Sequence, residues 1–408
     1  MKLVPQSIIF GALATTAALF IASATVVGGQ APAAPAPARR PAPAPATPAP
    51  AQRPAATGPR AQMAEDVFTN ITVLKGVPAD EFMASMGYIS NALAVNCTYC
   101  HLGDGGGGWP EYAKDNDKKR TARRMILMMN AINKENFGGR RVVTCVSCHN
   151  GNIRPKVTSN MSVYYSVPTT DEPDAITRQA PGAPSAEQVI DKYIQAIGGA
   201  QKLAALTSYV AKGTFLSYGE ADPGRLEIFV KAPAQRAEIR YGGSTTVYDG
   251  RNGWHAVPEA ISPLSQRVLN GAELDGARLD AILALPGQLK TALTAWRGAI
   301  PTALGDADVQ VIQGTTASGF PVKLYFDDES GLLLRQIRYI EAAIGRSTWQ
   351  YDYSDYREVA GVKIPFKWTF MWQSGQSVVE LTDVQPNVAI DAARFTRPAG
   401  PASEAPAR

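Results

Sequence analysis

Cys97-Thr98-Tyr99-Cys100-His101, answered further along by Cys145-Val146-Ser147-Cys148-His149, is the part of this chain on which its reading turns. Two cysteines three positions apart can each form a thioether to a haem vinyl group. The histidine that follows then sits under the iron and donates a ring nitrogen. The chain has only four Cys and three His, and all four Cys and two of the His fall in these two pentads. From composition alone that coincidence has a probability on the order of 10⁻⁴ or less. A four-thiolate zinc site would use the same cysteines but leaves both histidines unexplained. Two local disulfides or a redox-active pair leave them unexplained too, and the surroundings read as helical rather than as the strand–helix pattern of thioredoxin-like motifs. The residues therefore predict two covalently attached haem c groups, with His101 and His149 as proximal iron ligands.

Outward from the pentads, residues 61–155 read as one mainly α-helical unit. Phe82, Met86, Ile89 and Leu93 recur at helical spacing after Pro78-Ala79-Asp80, a helix start. A second helix is expected from about Thr121 to Lys134, stopped by Gly138-Gly139, and Gly105 to Gly108 form a loop. Each iron needs a sixth ligand or an open position. The third histidine, His255, lies far along the chain and reads as a hairpin residue, so the candidates by elimination are Met63, Met83, Met86, Met125, Met128 and Met129. A thioether favours ferrous iron and raises the potential, yet a Met on an apolar helix face equally often only fills a core. Lys118, Lys119, Arg120, Arg123, Arg124, Arg140 and Arg141 cluster between the pentads. They read either as partners for haem propionates or an acidic protein, or as a solvated face.

The flanks set the compartment and the organisation. Residues 1–30 carry Lys2, an apolar run from Ser7 to Val27 and a cleavable Ala22-Ser23-Ala24, an export leader that is either removed or kept as a membrane tether. No Cys lies in it for lipid attachment. The rest of the chain is then periplasmic or otherwise extracytoplasmic. Residues 31–60 are nearly all Ala and Pro, an extended spacer with a reach of roughly 90 Å. A proline-rich linker spans 156–184, and few contacts are expected across it. A net charge of +4 with 19% charged residues gives no case for nucleic acid.

Residues 185–398 read as an α+β unit with a large curved antiparallel sheet and helices on one side, followed by a tail at 399–408. Ser185-Ala-Glu-Gln188 is a capping box opening a helix that stops at Gly198-Gly199. Strands are expected at 208–216, 226–231, 237–241 and 245–248, a helical stretch at about 262–298, and strands near 308–313, 320–326, 332–340, 346–354, 363–372 and 377–384. Asp328 to Gly331 and Ser374-Gly375 read as hairpin turns. No nucleophile–base constellation and no phosphate loop is present.

Two resemblances follow from particular stretches. Asn70-Ile-Thr-Val-Leu-Lys75, Phe82-Met-Ala-Ser-Met86, Asn96 to His101, Ala122-Arg-Arg-Met125, Ala131-Ile-Asn133 and Val143 to His149 make residues 68–156 resemble the cytochrome subunit of photosynthetic reaction centres, and two-haem proteins related to it. In that family a helix before each attachment motif supplies the distal Met. The resemblance thus implies Met86 for the first haem and Met125 for the second, with Met128 and Met129 within one turn as rivals. This chain has two attachment motifs where that subunit has four. Tyr351-Asp-Tyr-Ser-Asp-Tyr356 through Gly361-Val-Lys-Ile-Pro365 resembles the half-barrel of outer-membrane lipoprotein-sorting proteins. That likeness implies a concave face, with Trp349, Trp368, Phe370 and Trp372, able to hold a hydrophobic ligand such as an acyl chain or a quinone; the same aromatics could equally fill an ordinary core. The expected function is electron transfer between redox protein partners rather than catalysis. A peroxidase-type haem enzyme with an open iron position, and a lipid-binding protein with accessory haems, are the two other classes left open.

Overall fold

The first long helix obeys its sequence closely. In the computed structural model, which describes residues 62–101, 109–155, 157–158, 179, 181–260, 262, 264–298, 301–373 and 375–400, α1 (Ala64–Val67) leads into α2 (Ala79–Leu93) with Pro78 at its N-cap. Asp80 and Glu81 in the first turn suit the positive end of the helix dipole. A short 3₁₀ turn, Cys97–Tyr99, carries the first attachment pentad. Then come α3 (Trp109–Ala113), α4 (Asp117–Phe137) and α5 (Cys145–His149), the last being the second pentad itself. The Asn116 side chain caps α4, accepting from Lys119 N, and Gly138 ends it in the left-handed region, where a helix stop favours glycine. The leader, the Ala/Pro spacer, the loop at 102–108, most of 156–184 and the tail from 401 lie outside the described residues. Among the described residues no helix is long and apolar enough to cross a membrane.

After the linker, Ser185 and Gln188 form the expected capping box at the head of α6 (Ala186–Ala196), and α7 (Ala200–Ala205) follows Gly198-Gly199. The sheet has fourteen strands: β1 (Ser208–Ser217), β2 (Gly224–Lys231), β3 (Gln235–Arg240), β4 (Thr245–Tyr248), β5 (Gly253–Ala256), β6 (Gln266–Val268), β7 (Thr294–Gly298), β8 (Thr302–Leu304), β9 (Ala307–Thr315), β10 (Pro321–Asp327), β11 (Leu333–Ala342), β12 (Gly345–Val359), β13 (Val362–Trp372) and β14 (Gly375–Pro386). Its order is β6-β5-β4-β3-β2-β1-β14-β13-β12-β11-β10-β9-β7, with β8 paired to β9, and its ladders are antiparallel. The architecture is thus two meanders joined where the first strand, β1, pairs with the last, β14. The large antiparallel sheet read from the sequence is present. The helical stretch expected at 262–298 is corrected: it holds α8 (Gly271–Ala284) and α9 (Leu289–Ala292), flanked by β6 and β7. Both are short strands at the two ends of the sheet order, where one-sided pairing leaves little local signature.

The main core lies between one face of the sheet and the helices. Val189, Ile190 and Tyr193 of α6 and Leu279 and Ile282 of α8 pack with Leu226, Ile312, Leu324, Phe326 and Val379. Fully burying each such side chain stabilises by about 1.5–3 kcal/mol.

The expectation of few contacts across 156–184 fails. The tip of the β11–β12 hairpin enters the cytochrome part, where Ile344, 1% exposed, completes a cluster with Leu74, Tyr88, Ile126 and Met129. Ala343 N donates to Ser85 Oγ at 3.0 Å. Arg141 pairs with Glu341 at 2.5 Å and donates to Ala342 O at 2.7 Å. The Tyr88 ring lies so close to Gly345 that a Cβ there would meet Cζ at 2.3 Å. Residues 58–408 accordingly form one compact unit. The linker's proline content describes its own backbone and carries no information about contacts made by residues distant in sequence.

Candidate haem sites

Both attachment pentads form single tight turns, so each pair of thiols and its histidine project from one short segment. The Thr144 and Ser147 side chains cap α5 reciprocally. The four cysteines are unpaired with one another. Among the described residues no three His, Cys, Asp or Glu side chains gather into a metal-holding group, which leaves the four-thiolate zinc arrangement without a site.

His101 places Nδ1 at 2.9 Å from Tyr112 O, and its ring stacks on Tyr112 with centroids 4.7 Å apart. His149 places Nδ1 at 3.0 Å from Asn152 O. A backbone carbonyl can only accept, so it fixes the tautomer with the proton on Nδ1 and leaves Nε2 as the lone-pair nitrogen. Burial holds the His101 imidazole below its usual range, which keeps it in the neutral, ligating form. Burial pushes the Cys100 thiol up, opposed by Lys118 and Lys119, and burial pushes up Cys145 as well. Asn116 Nδ2 donates to Cys100 O at 2.7 Å, tying the first pentad to the start of α4.

The methionines separate by environment. Met129 is 6% exposed and belongs to the core. Met125 and Met128 are 39% and 47% exposed, and Leu127, Val142 and Ile153 are exposed apolar side chains of the same part. Cysteines unpaired with one another and imidazoles that leave Nε2 as the lone-pair nitrogen are the donor set that covalent haem needs. Met86 packs on the cluster of Leu74, Tyr88 and Ile126, whereas Met83, on another face of α2, lines a cavity of the sheet. Of the basic residues, Arg123 is held by Asp115 at 2.6 Å and by Asn70 O, Arg120 by Asp117, and Lys118 lies over the Tyr99 ring. Arg124, bonded only to Thr121 Oγ1 within its own helix, is the better placed of the Arg123–Arg124 pair for a propionate.

The cavity has a volume of about 500 Å³ and is lined by the sheet, α8 and Asp80, Met83, Ala84 and Gly87 of α2. Trp349, Trp368, Phe370 and Trp372 line it, and Trp368, 7% exposed, also packs in the core. Its polar lining was not read from the sequence. Arg236, Glu238 and Arg240 alternate along β3 and pair with each other at 2.6 and 2.7 Å. Two flanking guanidinium groups overcome burial and hold Glu238 at about 2. Arg338 reaches Asp280 at 2.6 Å and Tyr351 Oη at 2.9 Å, and Arg267 pairs with Glu273. Charges at every second position of a strand do signal one shared face; their inward direction is set by the fold. His255, in the β4–β5 hairpin as expected, also lines the cavity.

Comparison with known proteins bears on the cytochrome part. Residues 29–188 match the family model described as the photosynthetic reaction centre cytochrome C subunit, about two-fifths of the chain. The photosynthetic reaction center cytochrome c subunit of Thermochromatium tepidum is 34% identical over 105 residues, which are 25% of this chain and 24% of that one. The corresponding subunit of Roseobacter denitrificans is 34% identical over 98 residues, 22% of this chain and 26% of its own. The chain thus spans about a quarter of the length of these relatives. Within that span the expected likeness to the cytochrome subunit is shown. Among solved structures, a LolA superfamily protein from Nitrosomonas europaea aligns with 52% of this chain and 98% of its own, at 15% identity and a TM-score of 0.37. A putative outer membrane lipoprotein-sorting protein domain from Vibrio parahaemolyticus covers 50% and 96%, at 9% identity and 0.34. The description of the sheet rests on its own strand pairing.

Proposed function

We propose that this chain is an extracytoplasmic two-haem c-type cytochrome that passes electrons between redox protein partners and is not itself an enzyme. One haem is attached at Cys97 and Cys100 under His101, the other at Cys145 and Cys148 under His149. Met86 and Met125 are the distal ligands, and the sheet cavity takes a hydrophobic ligand. The leader exports the chain and either is cleaved or tethers it to the membrane. The observation that carries this reading is that both pentad histidines hold Nδ1 against a backbone carbonyl, leaving Nε2 for iron. Bound haem would supply one-electron chemistry at each iron. The chain's own residues would attach it through the four cysteines and orient the imidazoles through the Tyr112 and Asn152 carbonyls.

The test is a haem count on exported protein. Pyridine assay and intact mass should give two haems per chain, and Cys145→Ala with Cys148→Ala should leave one. Protein that matures with zinc and without haem sinks the reading. Met86→Ala should abolish the weak near-infrared sulfur–iron band of one ferric haem. If Met83→Ala does so instead, the ligand is the methionine on the cavity side of α2.

A further inference from the structure

Helix α2 serves two compartments at once. Phe82, Met86 and Ile89 pack into the cytochrome part, while Asp80, Met83, Ala84 and Gly87 line the sheet cavity. The cavity wall beside the helix is a run of aromatic rings. Tyr351 stacks on Phe370 with centroids 4.5 Å apart, Phe370 on Trp372 at 4.9 Å, and Trp349 meets Phe370 edge-on at 5.2 Å. Gln373, next in sequence to Trp372, abuts Gly87 of α2, and its backbone oxygen accepts from Asn91. Two N–H donors in the cavity lining are buried without a partner, Arg338 Nε and Gln373 Nε2. Arg338 is only 5% exposed, and its two other nitrogens are already committed to Gly276 O, Asp280 and Tyr351. A buried donor left unsatisfied costs about 1–3 kcal/mol, so an acceptor arriving there is favoured.

Those features select the ligand. A plain hydrocarbon chain would leave the donors unmet, so the ligand carries acceptors. A cavity of about 500 Å³ with a stacked aromatic wall and separated single donors fits a ring that carries carbonyl acceptors. We propose that the cavity is a binding site for a carrier of the quinone class, which exchanges electrons with the haems across α2. This rests on the two-haem reading. In the oxidative direction the two O–H bonds of the quinol break and its ring becomes the quinone. Two protons and two electrons leave the quinol, and two bound ferric haems would each take up one of the electrons. The Asp80 carboxylate, on the cavity face of α2, can take the first proton and pass it to solvent. Burial and the neighbouring Glu273 raise its affinity for that proton.

The test uses the mature, haem-loaded protein and decylubiquinone as the probe. Quinones quench tryptophan, and Trp349, Trp368 and Trp372 line the cavity, so binding is read without any turnover. The expected result is saturable quenching at one quinone per chain, weakened at least fivefold by Gln373→Leu and by Arg338→Lys with haem content unchanged. Anaerobic decylubiquinol should then reduce two haem equivalents per molecule. If palmitate binds and decylubiquinone neither quenches nor displaces it, the site is an acyl-chain site and the proposal is overturned. Quenching without haem reduction overturns the electron-exchange part. Because the haem count is measured separately, loss of quenching in two-haem protein condemns the cavity assignment alone.

Discussion

At His255 a single imidazole makes the fold sensitive to acid. Its Nδ1 lies 2.9 Å from Thr246 Oγ1, and burial, with Arg267 and Arg240 close by, holds it at about 3, well below the usual 6.5. The unfolded chain therefore binds a proton below pH 6.5 that the folded chain refuses, and stability falls as pH drops from there toward 3. The slope is at most about 1.4 kcal/mol per pH unit, less where cavity water reaches the ring. Glu238 acts in a different window: held at about 2, it contributes stability above its ordinary 4.5 that is lost between there and 2. Urea midpoints should thus decline between pH 6.5 and 4.5 in the parent protein, and His255→Gln should flatten that decline. An unchanged slope in the variant would show that other groups cause it. The residue scale also shows what the sequence could disclose. Covalent haem attachment needs contiguous Cys and His, so the proposed sites at Cys97 to His101 and Cys145 to His149 are a reading that local sequence alone can make. The partners of the histidines were not, because Tyr112 and Asn152 act through backbone carbonyls that any residue supplies. Nor could spacing decide among the methionines, since Met129 sits in the core four residues from an exposed Met125.

At the level of elements, the β11–β12 hairpin shows how correct strands can hide a function. Its two strands, expected near 332–340 and 346–354, run Leu333–Ala342 and Gly345–Val359, yet nothing local marks Ala343 and Ile344 as part of another segment's core. The signature is split between α2, α4 and the hairpin, and appears only once they meet. Gly345 has an ordinary φ, so its role is space alone: an added methyl would lie 2.3–2.7 Å from Tyr88 ring atoms. Gly345→Ala should therefore destabilise by about 1–3 kcal/mol, as overpacking does. Ile344→Ala should cost about 2–5 kcal/mol, as cavity formation in a packed cluster does. Chemical denaturation followed at the haem Soret band and by far-ultraviolet circular dichroism would check both. If the two probes separate in Ile344→Ala, the hairpin tip couples the parts; if neither midpoint moves in either variant, the contact contributes nothing to stability.

For the whole molecule, the linker suggested parts that work apart, while the packing makes each finish the other. A chain ending near Val157 lacks Ile344, Ala343 and Glu341, which exposes Tyr88, Ile126 and Met129 and leaves Arg141 without its partner. Such a truncated protein should be cut faster by trypsin, and its haem potentials should shift as solvent reaches the attachment segments. Equal protease resistance and unchanged potentials would mean that the cytochrome part is self-sufficient. The same packing has a consequence for biogenesis. Arg141 and Glu341 lie 200 positions apart, so a chain threaded across a membrane from its N-terminus delivers both attachment segments well before the hairpin that packs beside them. Cys97 and Cys148 stay exposed once that hairpin has docked. Ligation on the far side of the membrane is therefore free to precede assembly of the sheet or to follow it.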